Sequence, residues 1–283
     1  MTGRWIAETL HADFRTTYRA DKVLHEESSE HQHLVLFENA TFGRMLVLDG
    51  AIQTTEKDEF IYHEMLAHLP ILAHGRVRRV LIIGGGDGGM LEEVLKHRAI
   101  ERVVMVEIDP SVIAFSKRHL RSICGAAFDD PRAQVVIADG ARFVAESAER
   151  FDLVIVDSTD PIGPGAVLFT EAFYRGCHRV LNPGGVLVTQ NGVPFLQAAE
   201  LVGSLAAFRR IFRDSGCYLA TIPTYTGGPM AFGWACDDPE LRRVPIETLS
   251  ARFAAAGVAT RYYTPDVHVA AFALPRYVAD LIA

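Results

Sequence analysis

From Arg79 onward the apolar positions fall in short β-branched runs, each closed by a turn and followed by a stretch with helical spacing. Val80-Leu-Ile-Ile83, Arg102-Val-Val-Met-Val-Glu107, Ala133-Gln-Val-Val-Ile-Ala138, Phe151-Asp-Leu-Val-Ile-Val156 and Val186 to Gln190 read as five strands. Unbroken apolar runs of this length suit strands buried on both faces. Between them the spacing predicts helices at Met90 to His97, from Asp109-Pro-Ser111 through Leu120, at Arg142 to Ser147 and at Phe169 to Leu181. A long helix follows at Pro194 to Arg213, and Tyr218 to Pro223 and Met230 to Ala235 read as late strands. Strand alternating with helix in this way implies an α/β fold built on a doubly wound, mostly parallel sheet.

The first 70 residues are patterned differently. Gln32-His-Leu-Val-Leu-Phe37, Gly43-Arg-Met-Leu-Val-Leu48 and Ala51-Ile-Gln-Thr-Thr55 are strand-like, with turns at Glu38-Asn-Ala-Thr41 and Asp49-Gly50. Asp-Gly between apolar runs is a two-residue hairpin signal. Lys57 to Leu69 then carries Phe60, Ile61, Met65, Leu66 and Leu69 at helical spacing. The expected organisation is a small antiparallel β domain with its linking helix over residues 1–70, and a catalytic α/β domain over residues 71–283.

Composition narrows the functional classes. With 283 residues, 49% hydrophobic and 22% charged, the chain has globular proportions and can bury a full core. No run of about 18 apolar residues is present, so no membrane partner is expected, and the N-terminus does not read as a secretory leader. Cys124, Cys177, Cys217 and Cys236 lie far apart with no Cys-x-x-Cys pair, against a disulfide frame or zinc site and in keeping with a cytoplasmic location. A net charge of −7 argues against nucleic acid as a partner and suits a cationic substrate.

Candidate chemistry gathers at strand ends, where open α/β sheets bind ligands. Asp157-Ser-Thr-Asp-Pro-Ile-Gly-Pro-Gly165 leaves a strand and brings Asp157 and Asp160 to that edge. Asp-Pro and Gly-Pro are also ordinary turn punctuation. Gly84-Gly-Gly-Asp-Gly-Gly89 fits the G-x-G-x-x-G template through Gly84, Gly86 and Gly89. Glu107, at the end of the next strand, is placed to accept from both hydroxyls of a ribose. Asp87 inside the glycine loop would repel a pyrophosphate, and Asp139-Gly140 offers an acceptor for an adenine amino group, though it is equally a turn signal. Together these favour an adenosyl sulfonium over a nicotinamide dinucleotide. His63-Glu64 and His68 imitate a zinc motif, but the histidines are five apart, about 140° out of register on a helix, so no metal site is expected. Tyr62 and His63 remain either binding groups or an interdomain packing pair. Arg209-Arg210 reads as a solvated face rather than an anion site.

Taken together these residues closely resemble the spermidine synthase family of aminopropyltransferases, nearest its bacterial members. The resemblance runs nearly end to end: Gln32, Leu48-Asp-Gly50, Gln53-Thr-Thr-Glu56, Asp58-Glu-Phe-Ile-Tyr-His-Glu-Met65, Ile82 to Gly88, Val106-Glu-Ile-Asp109, Asp157 to Gly165, Ile222-Pro-Thr-Tyr225 and Ala271-Phe-Ala-Leu-Pro275. It implies a Rossmann-like, class I methyltransferase-like fold. It also implies transfer of the 3-aminopropyl group of decarboxylated S-adenosylmethionine to putrescine, giving spermidine and 5′-methylthioadenosine. Carried over by position, Gln32, Glu107, Asp139, Gly140 and Pro164 contact the adenosyl co-substrate, with Gly84 and Gly86 beside it. His63, Asp87, Asp157 and Asp160 surround the amine, Asp157 accepts its proton, and Gln53, Tyr62 and Tyr225 make further contacts. No cofactor is required, since decarboxylated S-adenosylmethionine is a co-substrate, and a homodimer or homotetramer is expected. One departure stands out: Ala166-Val167 occupies positions where relatives often carry Glu-Ser, which removes a carboxylate from the loop.

The alternatives are the same reaction on cadaverine, agmatine or spermidine, a methyltransferase on the same nucleoside fold, and a polyamine-binding protein without turnover. Fold alone does not separate them. A methyltransferase has to accommodate the carboxylate of S-adenosylmethionine, which Asp87 would repel.

Overall fold

Alternate residues of the central strands enter two separate cores. Val80, Ile82, Val103, Met105, Leu153 and Ile155 face one. Leu81, Ile83, Val104, Val106, Val154 and Val156 face the other. Side chains on a strand alternate between faces, so a run apolar at every position must be covered on both sides. This computed structural model describes residues 3–28, 32–161 and 163–283, and the side chain of Pro164 also lies outside the described residues.

In chain order, β1 (Arg4–Ala7) pairs antiparallel with β2 (Thr17–Ala20). β3 (Lys22–Ser28), β4 (His33–Asn39), β5 (Gly43–Leu48) and β6 (Ala51–Thr55) then form a four-stranded antiparallel sheet in sequence order. After α1 (Glu59–His74) the α/β unit runs β7 (Arg79–Gly84), α2 (Gly89–Leu95), β8 (Arg102–Glu107), α3 (Pro110–His119), α4 (Arg121–Cys124), β9 (Ala133–Ile137), α5 (Gly140–Glu146) and β10 (Phe151–Asp157). It continues with α6 (Glu171–Val180), β11 (Leu181–Gln190), α7 (Pro194–Ile211), β12 (Asp214–Ala220) and β13 (Met230–Cys236). Helices α8 (Ile246–Ala256), α9 (Pro265–Ala271) and α10 (Arg276–Leu281) close the chain. The seven-stranded sheet has the order β12-β13-β11-β10-β7-β8-β9, parallel from β11 to β9 and antiparallel at β12 and β13. This is the doubly wound, mostly parallel sheet with a small N-terminal antiparallel sheet that the pattern implied. Among the described residues no helix is long and apolar enough to cross a membrane.

Some elements differ from the sequence expectation. β1, β2 and β3 were not anticipated, because their apolar positions are interrupted by charged residues, as in Thr17-Tyr-Arg-Ala20. The boundary expected at residue 70 falls inside α1, every residue of which from Ile61 to Ala73 is buried. Its apolar side chains join the core of the larger sheet.

Two buried carboxylates tie α1 to distant chain. Asp58 accepts from the Thr55 hydroxyl at 2.6 Å, from the Thr224 amide at 2.8 Å and from the Thr224 hydroxyl. Glu64 accepts from the backbone amides of Arg261, Tyr262 and Tyr263 at 2.7, 2.8 and 2.7 Å. A buried carboxylate is tolerated when donors satisfy it in this way. These contacts hold the helix that delivers Tyr62 and His63.

Candidate active site

β7 lies between β10 and β8, with all three strands parallel. After β7 the chain enters α2, whose Met90 and Leu91 pack into the first core. After β10 it enters α6, whose Phe173 and Tyr174 pack into the second. The two connections therefore part toward opposite faces and open a crevice at the strand ends, the usual ligand position in such sheets.

The glycine loop fills the floor of this crevice. Gly84 and Gly85 have φ of 84° and 72°, and the Gly85 amide donates to the Asp157 carbonyl at 2.9 Å. A Cβ on Gly84 would lie 2.1 Å from that carbonyl oxygen, and one on Gly85 would lie 2.9 Å from Asp157 Oδ2. A Cβ on Gly86 would lie 2.9 Å from Glu107 Oε2. Only glycine permits this backbone to pass between the two carboxylates. Glu107 is buried, and its Oε1 accepts from the Asp109 amide at 2.9 Å. Burial pushes its carboxyl up to about 7, against the pull of the Asp109 and Ile108 amides, with the Asp109 charge adding to the rise. Gln32 reaches across from the N-terminal sheet and donates to Asp109 at 3.1 Å. Asp139 caps α5, its Oδ1 accepting from the amides of Ala141 and Arg142 at 2.7 and 3.1 Å. The turn role of Asp139 is thus real, and the residue still lines the crevice.

On the other side of the glycine loop, Tyr62 donates to Asp157 Oδ1 at 2.7 Å. Tyr62 and His63 both line the same cavity as Asp157. Both ring nitrogens of His63 face carboxylates: Nδ1 is 2.7 Å from Glu59 Oε2 and Nε2 is 3.6 Å from Asp87 Oδ2. Burial works against a charge on His63, but Asp87 and the hydrogen bond to Glu59 outweigh it and push the imidazole up to about 10. Burial raises the Asp157 carboxyl to about 6; the His63 charge opposes this, Asp87 reinforces it, and the Tyr62 hydrogen bond opposes it again. Burial and the neighbouring Asp157 charge hold the Tyr62 phenol well above its ordinary range, so it stays a donor.

Ligand atoms of His63, Asp87 and Asp157 lie within 4.8 Å of one another, the spacing of a cation site. Farther along the crevice, Asp160 Oδ1 accepts from Gln197 Nε2 at 2.5 Å, and burial raises the Asp160 carboxyl. Tyr225 donates to the Gln53 carbonyl, which seats both beside Tyr62.

One cavity of about 440 Å³ is lined by Asp157, Tyr62, His63, Asp87, Asp160, Gln53, Tyr225, Gln32, Glu107, Asp139, Gly140, Gly84 and Gly86. The fold brings these together from both sheets. Pro164 sits on the 3₁₀ segment Gly163–Phe169 that follows, and Ile162 lies outside the described residues. Sequence reasoning missed Glu8 and His11, which enter from the connection between β1 and β2, Gln190 at the end of β11, and Gln197 on α7. Gln190 ends an apolar strand and was within reach of the strand-end argument. Nothing local marks Glu8, His11 or Gln197.

A glycine loop followed by a strand-end acid is the arrangement with which α/β enzymes commonly hold nucleotides. Residues 59–244 match a family described as spermine/spermidine synthase domain, and residues 4–56 match one described as spermidine synthase tetramerisation domain. The chain is 57% identical over 277 residues to a polyamine aminopropyltransferase from a Ruegeria species, covering 98% of each. It is 58% identical to polyamine aminopropyltransferase 1 of Pseudomonas aeruginosa, covering 97% of this chain and 96% of that one. A crystal structure of spermidine synthase with the transition-state analogue AdoDATO superposes with a TM-score of 0.94 at 36% identity, covering 100% of this chain and 96% of the other. Spermidine synthase from Thermotoga maritima gives 0.91 at 34% identity, covering 100% and 95%. The chain belongs to the spermine/spermidine synthase family of polyamine aminopropyltransferases.

Proposed function

We propose that this enzyme transfers the 3-aminopropyl group of decarboxylated S-adenosylmethionine to putrescine, forming spermidine and 5′-methylthioadenosine. The observation that carries this is the juxtaposition, across one glycine loop, of a ribose-accepting carboxylate at Glu107 and an acidic pocket at Asp87, Asp157 and Asp160. The first suits the adenosyl group, with Gln32, Asp139 and Gly140 around it, and the second suits ammonium groups.

In the proposed step the lone pair of an amine nitrogen attacks the methylene carbon bonded to sulfur. The C–N bond forms as the C–S bond breaks, the bonding pair returns to the sulfonium, and a neutral thioether leaves. The nitrogen's surplus proton passes to Asp157. An ammonium near 10.4 and an acceptor near 6 differ by about 4 units, so full transfer before attack is uphill by on the order of 6 kcal/mol. Holding the two reactants in line can supply roughly 7–11 kcal/mol, enough to offset that cost. Positioning is therefore the larger contribution. Tyr62 occupies Asp157 Oδ1 and leaves Oδ2, beside Gly85, for the amine. His63, held as a cation by Glu59 and Asp87, limits the repulsion among the carboxylates. The sulfonium is its own activated leaving group, and the proposed step calls for no cofactor.

We also infer assembly into a homodimer or homotetramer through the N-terminal strands. Residues 4–56 resemble a tetramerisation domain, and Trp5 on β1 is 62% exposed. An apolar side chain so placed suits an interface.

The test is product analysis by mass spectrometry with decarboxylated S-adenosylmethionine and a panel of putrescine, cadaverine, agmatine and spermidine. Spermidine with methylthioadenosine, formed faster than any rival pair, is the expected result. A different preferred amine keeps the mechanism and changes the acceptor, and no product from any amine overturns the enzyme reading.

A further inference from the structure

α7 is not regular at its start. Gln197 has φ −123° and ψ 38°, outside the helical region, within a helix that runs from Pro194 to Ile211. The break lays its side chain over Gly192, where a Cβ would lie 2.7 Å from the Gln197 amide carbon. There the amide orientation is fixed. Oε1 accepts from the Val193 backbone amide at 2.9 Å, so the two N–H groups must point the other way. Nε2 then serves two carboxylates at once: Asp160 at 2.5 Å and Glu200 at 3.2 and 3.3 Å to its two oxygens.

An amide can hydrogen-bond two carboxylates but brings no charge to balance them. Among the described residues neither Asp160 nor Glu200 makes an ion pair with Lys or Arg. The charged or titratable groups felt by the pair are His11 beside Asp160, Glu8 and Tyr225, which both feel the Asp160 charge, and Tyr174, which feels that of Glu200. Burial and the Asp160 charge push the Glu200 carboxyl up to about 7, with Gln197 pulling the other way. Paired carboxylates in this state gain from any cation that arrives. Asp160 and Gln197 both line the cavity, and Glu200, outside that lining, hydrogen-bonds Gln197.

We propose that Glu200, acting through Gln197 on Asp160, is a positioning residue that makes the site select acceptors carrying a second, distal ammonium. The chemical class selected is an α,ω-diamine, as against a monoamine of the same length. The inference rests on the reading that this cavity takes an amine acceptor, and it adds the group that demands two charges of that acceptor.

Calorimetric binding of 1,4-diaminobutane and 1-aminobutane, with 5′-methylthioadenosine present, tests it on wild type and on Glu200→Gln, which keeps shape and removes charge. Wild type should prefer the diamine. Glu200→Gln should weaken the diamine about tenfold, equivalent to about 1.4 kcal/mol, and leave the monoamine and methylthioadenosine within about twofold. Equal loss for both amines, loss of methylthioadenosine binding as well, no loss at all, or a wild type indifferent to the second ammonium would each overturn the proposal. The transferase reading fails separately. A wild type that binds the diamine selectively but makes no product would sink that reading and keep this one.

Discussion

The phenol of Tyr62 and the carboxylate of Asp157, 95 positions apart, are joined by a 2.7 Å hydrogen bond across the edge of the central sheet. Tyr62 comes from a buried helix and Asp157 from the end of a buried strand, so neither can move far without disturbing a core. The bond engages Oδ1 of Asp157, and in the proposed mechanism Oδ2 is the oxygen that meets the amine.

If Asp157 receives the proton, Asp157→Asn should lower kcat by about 10² or more while sparing affinity for the adenosyl co-substrate, the usual scale of a general base. Tyr62→Phe should cost less, about tenfold, because orientation is impaired but the base remains. The ionised carboxylate is the active form, so with its group near 6 the wild-type kcat/KM should climb between about pH 5 and 7. Steady-state rates over that range check this. Unchanged turnover in Asp157→Asn would remove the residue from the role.

Glu107 governs a different step. Its carboxyl near 7 must be ionised to accept from two ribose hydroxyls, so binding of methylthioadenosine should weaken as pH falls through about 7, by at most tenfold per unit. Glu107→Gln should bind more weakly at pH 8 and lose this pH dependence. Titration calorimetry at pH 6, 7 and 8 reads both effects; a variant altered only in turnover would refute the ribose assignment.

Gly85→Ala probes the approach between the glycine loop and Asp157. Its φ of 72° disfavours alanine, and the added Cβ would sit 2.9 Å from Asp157 Oδ2 and 3.3 Å from Ile82 Cγ2. The backbone penalty is on the order of 1 kcal/mol, and the displaced carboxylate should lower kcat at least tenfold. Wild-type kinetics in this variant would mean that the position of Asp157 tolerates a shift.

Stability, by contrast, should respond to Glu64, which follows His63 on α1 but lies outside the cavity lining. Glu64→Ala strands the amides of Arg261, Tyr262 and Tyr263, which should cost about 3 kcal/mol, with Glu64→Gln intermediate. Urea unfolding midpoints measure the loss. A change below about 0.5 kcal/mol would show that water replaces the carboxylate at that turn.

The strands β7, β8, β10 and β11 were legible in the sequence because burial on both faces requires apolar side chains at nearly every position, a demand that leaves a local trace; β9, at the sheet edge, was legible from its apolar run although Gln134 and Ile137 are exposed. Glu107 and Asp157 were legible for a related reason: each ends such a strand, where the sheet presents its ligand edge. β1 to β3 left no comparable trace, since one face of each is exposed or polar. Glu59, Gln197 and Glu200 were invisible as members of any site. Glu59 pairs with His63 at i,i+4 and Gln197 with Glu200 at i,i+3, spacings a helix rule can find, but their links to Asp87 and Asp160 cross between elements and left no local trace. The charge states lie further still from the sequence. Asp87 and Glu59 push His63 up to about 10 against its burial, while burial raises Asp157 to about 6, and both shifts depend on what the fold packs around each group. Strand, turn and motif are local matters of side-chain period and backbone preference; desolvation and Coulomb energy depend on neighbours through space, and only the tertiary structure supplies those.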